Sequence, residues 1–181
     1  SGNGNNDAGI GANGNQDGFS NPENQNLSKL RKIYSKPVAG AVLITDKATT
    51  TIRFIEKATG NVYEAYSDST TIKRLTNETI PAISRAVWLK TGSGFIAQKA
   101  TVNDLIETSF ISLKRSATTT SNTQYETVIS KLPTGIIDVV VSPDSKKIFY
   151  LIKESGSKGF ISNPDGTSKT EVFNNFLSSW I

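Results

Sequence analysis

The sequence has no cysteine, no histidine and no methionine. Without cysteine there is no disulfide and no thiolate nucleophile, and cysteine usage offers no clue to redox compartment. Without histidine the chain lacks the side chain that most often moves protons near neutral pH and most often binds metals. A Ser-His-Asp hydrolase or a zinc site built on histidine cannot be assembled from this chain alone. Because methionine is missing even at position 1, the chain is not expected to begin at its own start codon unless processing removed it. Any signal peptide or membrane anchor is then expected upstream of residue 1. No run is long and apolar enough to span a membrane as a helix. The net charge is only +4. The basic residues are spread out, as at Arg31-Lys32, Lys73-Arg74 and Lys146-Lys147, so nucleic acid is not an expected partner.

The 181 residues, 36% of them apolar, suit one domain with a tail and a core of sandwich or propeller type. Residues 1–26, SGNGNNDAGIGANGNQDGFSNPENQN, are dominated by Gly and Asn. Such a stretch cannot bury enough surface to offset its chain entropy, so 1–28 is expected to be a disordered, flexible linker. Asn13, Asn15, Asp17 and Gly18 lie at spacings found in a calcium-binding EF-hand loop. That loop needs Asp first and Glu twelfth; here Asn13 and Asn24 hold those positions, and no metal is expected. The glycine-rich GNGNNDAGIG has no strand-loop-helix setting, so no nucleotide cofactor is expected.

From Leu27 the texture changes. Short β-branched and aromatic runs alternate with turn residues. AVLIT (41–45), TIRFIEK (51–57), NVYEAY (61–66), AVWL (86–89), GFIAQ (94–98), SFISLK (109–114), DVVVS (138–142) and KIFYLIK (147–153) read as strands. Between them lie ATGN (58–61), KTGSG (90–94), SPDSKK (142–147), ESGSKG (154–159) and NPDGT (163–167). Helical spacing occurs only briefly, in 26–34 and 101–110, and predicts no independent helix.

Three segments repeat one pattern: LRKIYSKPVAGAVLI (30–44), IKRLTNETIPAISRAVWL (72–89) and YETVISKLPTGIIDVVVS (125–142). Each has a strand with polar alternation, a polar turn, a proline (Pro37, Pro81, Pro133) and a second, apolar strand. WLKTGSGFIA superimposes on VSPDSKKIFY, matching Trp88 with Val141 and Phe95 with Ile148. The period, roughly 40–50 residues, is that of four-stranded propeller blades. KTEVF (169–173) falls in an outer-strand slot, and Trp180 falls in the slot of Trp88 and Val141.

DVVVSPDSKKIFYL followed by GFISNPDGTSKTEV resembles the Tol-type, WD40-like β-propeller repeat, in which a strand, Ser-Pro-Asp-Gly-Lys and an apolar strand follow one another. The resemblance is good over about 137–173 and degenerate over 30–80 and 85–130. Ser145 stands where the turn glycine belongs, and LKTGSG replaces the motif in the second unit. The expected fold is all-β: a partial β-propeller over 29–181, with units near 37–80, 81–132 and 133–173 and a stub at 174–181 that begins a fourth blade. The resemblance also implies that LRKIY (30–34) is an outer strand. Further blades are then missing, to be supplied by the rest of the chain or by a partner chain, because a closed ring needs at least four. An unrelated sandwich is the rival fold.

Few residues invite a chemical reading. Glu56 and Glu64 flank the ATGN turn and could share a site in glycosidase fashion, but cross-strand pairing with Arg53 or Lys57 is the simpler reading, and no catalytic residue is assigned. Asp138 begins an inner strand and could face a central channel. Trp88 and Trp180 could stack on a ligand, although packing between blades explains matched tryptophans as well. Asp138, Trp88 and Trp180 are therefore the candidate ligand-binding residues. The loop SATTTSNTQ (116–124) reads as a variable surface connection, and the sequons at Asn26 and Asn77 are of a kind common by chance.

The expected function is that of a non-catalytic, extracytoplasmic interaction module that binds a protein or a cell-envelope polymer. Similar propellers also gate peptidases, so the alternative is the propeller part of a larger hydrolase whose catalytic domain lies elsewhere. A lectin-like propeller is a third reading.

Overall fold

The structure is a computed structural model, and it describes residues 31–46, 49–101, 105–116, 125–154 and 156–175. The expected linker at 1–28, the loop at 117–124 and Trp180 with most of the stub lie outside these residues. The chain divides into two units, Ser1–Lys32 and Ile33–Ile181, and every strand belongs to the second.

Among the described residues, twelve strands form three four-stranded antiparallel sheets and no helix occurs. Sheet 1 contains β1 (Val38–Thr45), β2 (Thr50–Glu56), β3 (Val62–Tyr66) and β4 (Ile72–Arg74). Sheet 2 contains β5 (Ile83–Trp88), β6 (Gly94–Ala100), β7 (Ile106–Arg115) and β8 (Tyr125–Lys131). Sheet 3 contains β9 (Ile136–Val141), β10 (Ile148–Lys153), β11 (Ser157–Ser162) and β12 (Thr170–Asn175). Each sheet is a simple up-and-down meander in chain order. The first strands of the sheets, β1, β5 and β9, lie side by side. This is the arrangement of propeller blades, with inner strands together and outer strands β4, β8 and β12 at the far edges.

The register explains the repeat. Trp88 pairs with Phe95 across β5–β6, and Val141 pairs with Ile148 across β9–β10. The two hairpins have equal loops, so the sequence match is a match of position. Each inner strand also carries one extra residue near its start: Ala39, Ser84 and Ile137. Such bulges bend a strand and re-aim the side chain that follows. No local sequence signal marks them.

Packing explains the hydrophobic pattern. One core lies between sheets 1 and 2, with Ile55, Val62, Leu75, Ile83, Trp88, Phe95 and Ile111. A second lies between sheets 2 and 3, with Ile96, Ile136, Val139, Ile148, Tyr150 and Phe160. Successive side chains of a strand point to opposite faces. Phe95 and Ile96 therefore serve different cores, and β6 reads as a continuous apolar run because sheet 2 is covered on both sides.

Arg53 ties sheet 1 to sheet 2. Its Nε donates to Glu64 Oε2 at 2.8 Å, one terminal nitrogen donates to the Gly92 carbonyl at 2.8 Å, and the other donates to the Tyr125 hydroxyl at 3.0 Å. Gln98, 4% exposed, ties sheet 2 to sheet 3 through its amide, which donates to the Ile136 carbonyl at 3.3 Å.

Residues 31–34 are not a strand, which corrects the expectation for LRKIY. Tyr34 instead lays its ring beside Phe54 and Tyr63, with centroids 4.9 and 5.4 Å away. Aromatic packing offers this segment more than the edge hydrogen bonds that its polar alternation suggested.

Two tight turns share one design. In SPDSKK, Asp144 Oδ1 accepts from the Lys146 N–H at 3.0 Å, and in NPDGT, Asp165 Oδ1 accepts from the Thr167 N–H at 3.0 Å. The next position is left-handed in both, with φ of 62° at Ser145 and 86° at Gly166. Ser145 keeps a serine there because its hydroxyl oxygen accepts from the Lys90 N–H at 2.9 Å. Ala82 has the same φ, 62°, on an exposed residue and carries the left-handed cost of an L side chain. Ala82→Gly should therefore raise stability by about 0.5–1 kcal/mol, read as a higher urea midpoint at unchanged slope.

Candidate functional site

The bulges place Gly40, Arg85 and Asp138 at equivalent points on the three inner strands, each just past the extra residue. Arg85 and Asp138 meet there. A terminal guanidinium nitrogen of Arg85 donates to Asp138 Oδ1 at 2.7 Å, and both side chains are about half exposed, 47% and 51%. Asp138 Oδ1 also accepts from the Val139 N–H at 2.9 Å. The Arg85 hydrogen bond, aided by that N–H, holds the Asp138 carboxyl below its ordinary range. Asp138 thus sits on an inner strand with its charge balanced by Arg85, a partner that local sequence does not reveal.

Trp88 is a core residue. It is 6% exposed and packs on Phe95 with centroids 4.9 Å apart, inside the core between sheets 1 and 2. That placement fits the packing reading of Trp88 rather than the stacking one. Trp88 belongs to the core between sheets 1 and 2, apart from the Arg85–Asp138 pair, and Trp180 lies outside the described residues.

Glu56 and Glu64 do not converge. Arg53 opposes Glu64 across β2–β3, and Glu56, three residues from Arg53, lies on the other face. Glu64 is held by Arg53 and by the Tyr66 hydroxyl at 2.8 Å. Glu56 is 2% exposed. It takes the Lys36 ammonium at 2.8 Å and the Thr59 hydroxyl at 2.8 Å. The Lys36 hydrogen bond, then the Thr59 hydrogen bond, hold its carboxyl below the usual range. A depressed carboxyl contributes stability above its unfolded value, and that stability is lost as pH falls through the folded value. Unfolding midpoints should therefore fall as the pH drops below about 4.5, and Glu56→Gln should make that fall shallower.

Sheet 3 carries apolar side chains on its outer face. Val140 opposes Phe149, and Phe149 opposes Ile161. Val140 is 48% and Ile161 37% exposed. Phe149 also meets Phe173 at 6.2 Å between centroids. Phe173 lies over Gly159, where a Cβ would overlap its ring. Val140, Pro143, Lys147, Phe149 and Ile161 help line a shallow hollow of about 260 Å³ on this face.

Register equivalence gives that face its meaning. Val140, Phe149 and Ile161 hold the positions that Val87, Ile96 and Phe110 hold in sheet 2. In sheet 2 those three residues pack into the core against sheet 3. The same positions are thus covered by a neighbouring sheet in one blade and open in the next. Sequence reasoning missed this face because β9 and β10 are almost wholly apolar, so composition does not separate the inward residues from the outward ones. The Trp88–Val141 match was the signal that could have found it.

No family model matches the sequence, and no curated protein matches it. Among solved structures, TolB from Acinetobacter baumannii is similar over 76% of this chain at 15% identity, with a TM-score of 0.33. The chain spans 44% of the length of that protein.

Proposed function

We propose that this chain is a non-catalytic interaction module of propeller type that works outside the cytoplasm and binds another protein, and that the outer face of sheet 3 takes a further apolar sheet, from the rest of the chain or from a partner chain. One observation carries the reading: Val140 and Ile161 are exposed and Phe149 half-buried at register positions whose sheet 2 counterparts, Val87, Phe110 and the buried Ile96, pack against sheet 3. An apolar face of this kind fits a partner that presents β-branched and aromatic side chains, as sheet 3 itself presents Val139, Ile148, Tyr150 and Phe160 to sheet 2. It suits a protein better than a polar envelope polymer, because the centre of the face offers no row of hydrogen-bonding groups to a sugar chain. The extracytoplasmic setting rests on the Asn/Gly-rich lead and on the resemblance of 137–173 to a repeat family found largely in the cell envelope.

Photo-crosslinking tests it. A benzophenone amino acid in place of Phe149, in the cells that make the protein, should give one discrete protein adduct that Val140→Asp removes. The same probe in place of the exposed Lys114 should give none. Adducts from the two positions that cannot be told apart would overturn the reading.

A further inference from the structure

A second surface, separate from sheet 3, lies along the outer edge of sheet 2. Among the described residues, its strand β8 pairs with β7 on one side and with no strand on the other. In an antiparallel pair, alternate residues turn their backbone groups toward the partner and away from it. The Leu132 N–H donates inward to the Thr108 carbonyl at 3.0 Å, while the Tyr125 N–H donates outward to the Leu75 carbonyl at 3.2 Å. Tyr125, Thr127, Ile129 and Lys131 therefore present their N–H and C=O groups to the open side.

The connection between sheets 1 and 2 covers only half of that edge. Leu75 takes the Tyr125 N–H, and the Glu78 carboxylate takes the Thr127 N–H at 3.0 Å and also the Thr127 hydroxyl. The chain then turns back, and the Ile80 N–H donates to the Thr59 carbonyl at 2.9 Å. Ile129 and Lys131 are left exposed, Ile129 at 53%. An uncovered run of strand edge is a template for another strand.

Beside this free half lies a cavity of about 280 Å³. Its apolar lining is Ile80, Ile83, Ala97, Ile111 and Ile129, with Ser109 alongside. Its rim carries Lys99, Glu107 and Lys131. Lys99 pairs with Glu107 at 2.9 Å, and Lys131 reaches the same carboxylate only at 3.7 Å with its side chain 81% exposed. Two ammonium groups thus share one carboxylate, and the rim keeps one positive charge.

We infer that the Ile129–Lys131 edge of β8 takes up an extended peptide as an added strand, with one apolar side chain in the cavity and an acidic side chain two residues away at Lys131. Backbone pairing supplies affinity in this mode, and the pockets for alternate side chains supply selectivity. The cavity lies on the face that carries the Ile129 and Lys131 side chains, so alternate peptide residues reach it. The partner is defined chemically: an unfolded or loop segment with apolar and acidic residues at alternate positions and no proline where it pairs.

Amide exchange by NMR on the whole chain, with and without peptide, tests the inference. In the free protein, the Ile129 and Lys131 amides should exchange fast, while Val128 and Ser130, paired with β7, should exchange slowly. A random heptapeptide library should enrich the alternating apolar–acidic pattern. The enriched peptide, made synthetically, should slow exchange selectively at Ile129 and Lys131. Lys131→Glu should weaken it by about tenfold or more, and Ile129→Pro, which removes an outward donor but no bond to β7, should abolish it. Slow exchange at Ile129 and Lys131 without peptide would overturn the inference, because the edge would already be covered. So would a library without enrichment, or a bound peptide that leaves both amides unchanged. None of these outcomes bears on the sheet 3 face, whose failure would show in crosslinking at Phe149.

Discussion

Glu64→Ala should lower the unfolding free energy by about 3–5 kcal/mol. Glu64 and Arg53 are 8% and 14% exposed at the side chain, and their 2.8 Å contact lies next to the core between sheets 1 and 2. Removing the carboxylate leaves a guanidinium enclosed with two neutral acceptors, the Gly92 carbonyl and the Tyr125 hydroxyl. It also removes the acceptor that Glu64 offers the Tyr66 hydroxyl. The pair is not expected to be worth that much net, because burying both charges has its own desolvation cost. Arg53→Met with Glu64→Leu should therefore recover most of the loss. Urea unfolding of the two single variants and the double variant gives the coupling directly. A Glu64→Ala loss below about 1 kcal/mol would show that water reaches the pair.

Gly40→Ala should cost about 3 kcal/mol or more, at the upper end of what overpacking does. A Cβ on Gly40 would overlap the Ala86 carbonyl oxygen, which is backbone and cannot rotate aside. Relief requires β1 and β5 to move apart, which loosens the core that holds Trp88 and Phe95. Ala41→Ser, one residue on and exposed, should change stability by no more than about 0.5 kcal/mol. A tolerated Gly40→Ala would mean that the inner strands do not approach as closely as described.

These two residues show where sequence reading reached and where it stopped. The strands from Val38 to Lys153 were legible because turn residues punctuate apolar runs. The Trp88–Val141 and Phe95–Ile148 match was legible because equal hairpins preserve spacing. That Glu56 and Glu64 lie beside basic residues of the hairpin was legible around ATGN, but that Arg53 is the one opposite Glu64 came from the register. The bulges at Ala39, Ser84 and Ile137 were not legible, since an extra residue in a strand leaves no pattern of its own. They decide that Arg85 meets Asp138 and that Gly40 meets Ala86, so both contacts stayed hidden. LRKIY misled because polar alternation describes an edge strand and a loop equally well. Trp88 was ambiguous because a tryptophan on a strand is as useful in a core as on a surface, and only the neighbouring sheet decides.

The account turns on one contrast, that the same register position is closed in sheet 2 and open in sheet 3. The natural chain has no cysteine, so single-thiol variants report one position each. Val87→Cys and Val140→Cys should be compared for labelling rate by a water-soluble maleimide under native conditions. The account predicts rapid labelling for Val140→Cys and labelling slower by about tenfold for Val87→Cys, which sheet 3 partly covers. Equal rates, or faster labelling of Val87→Cys, would contradict it.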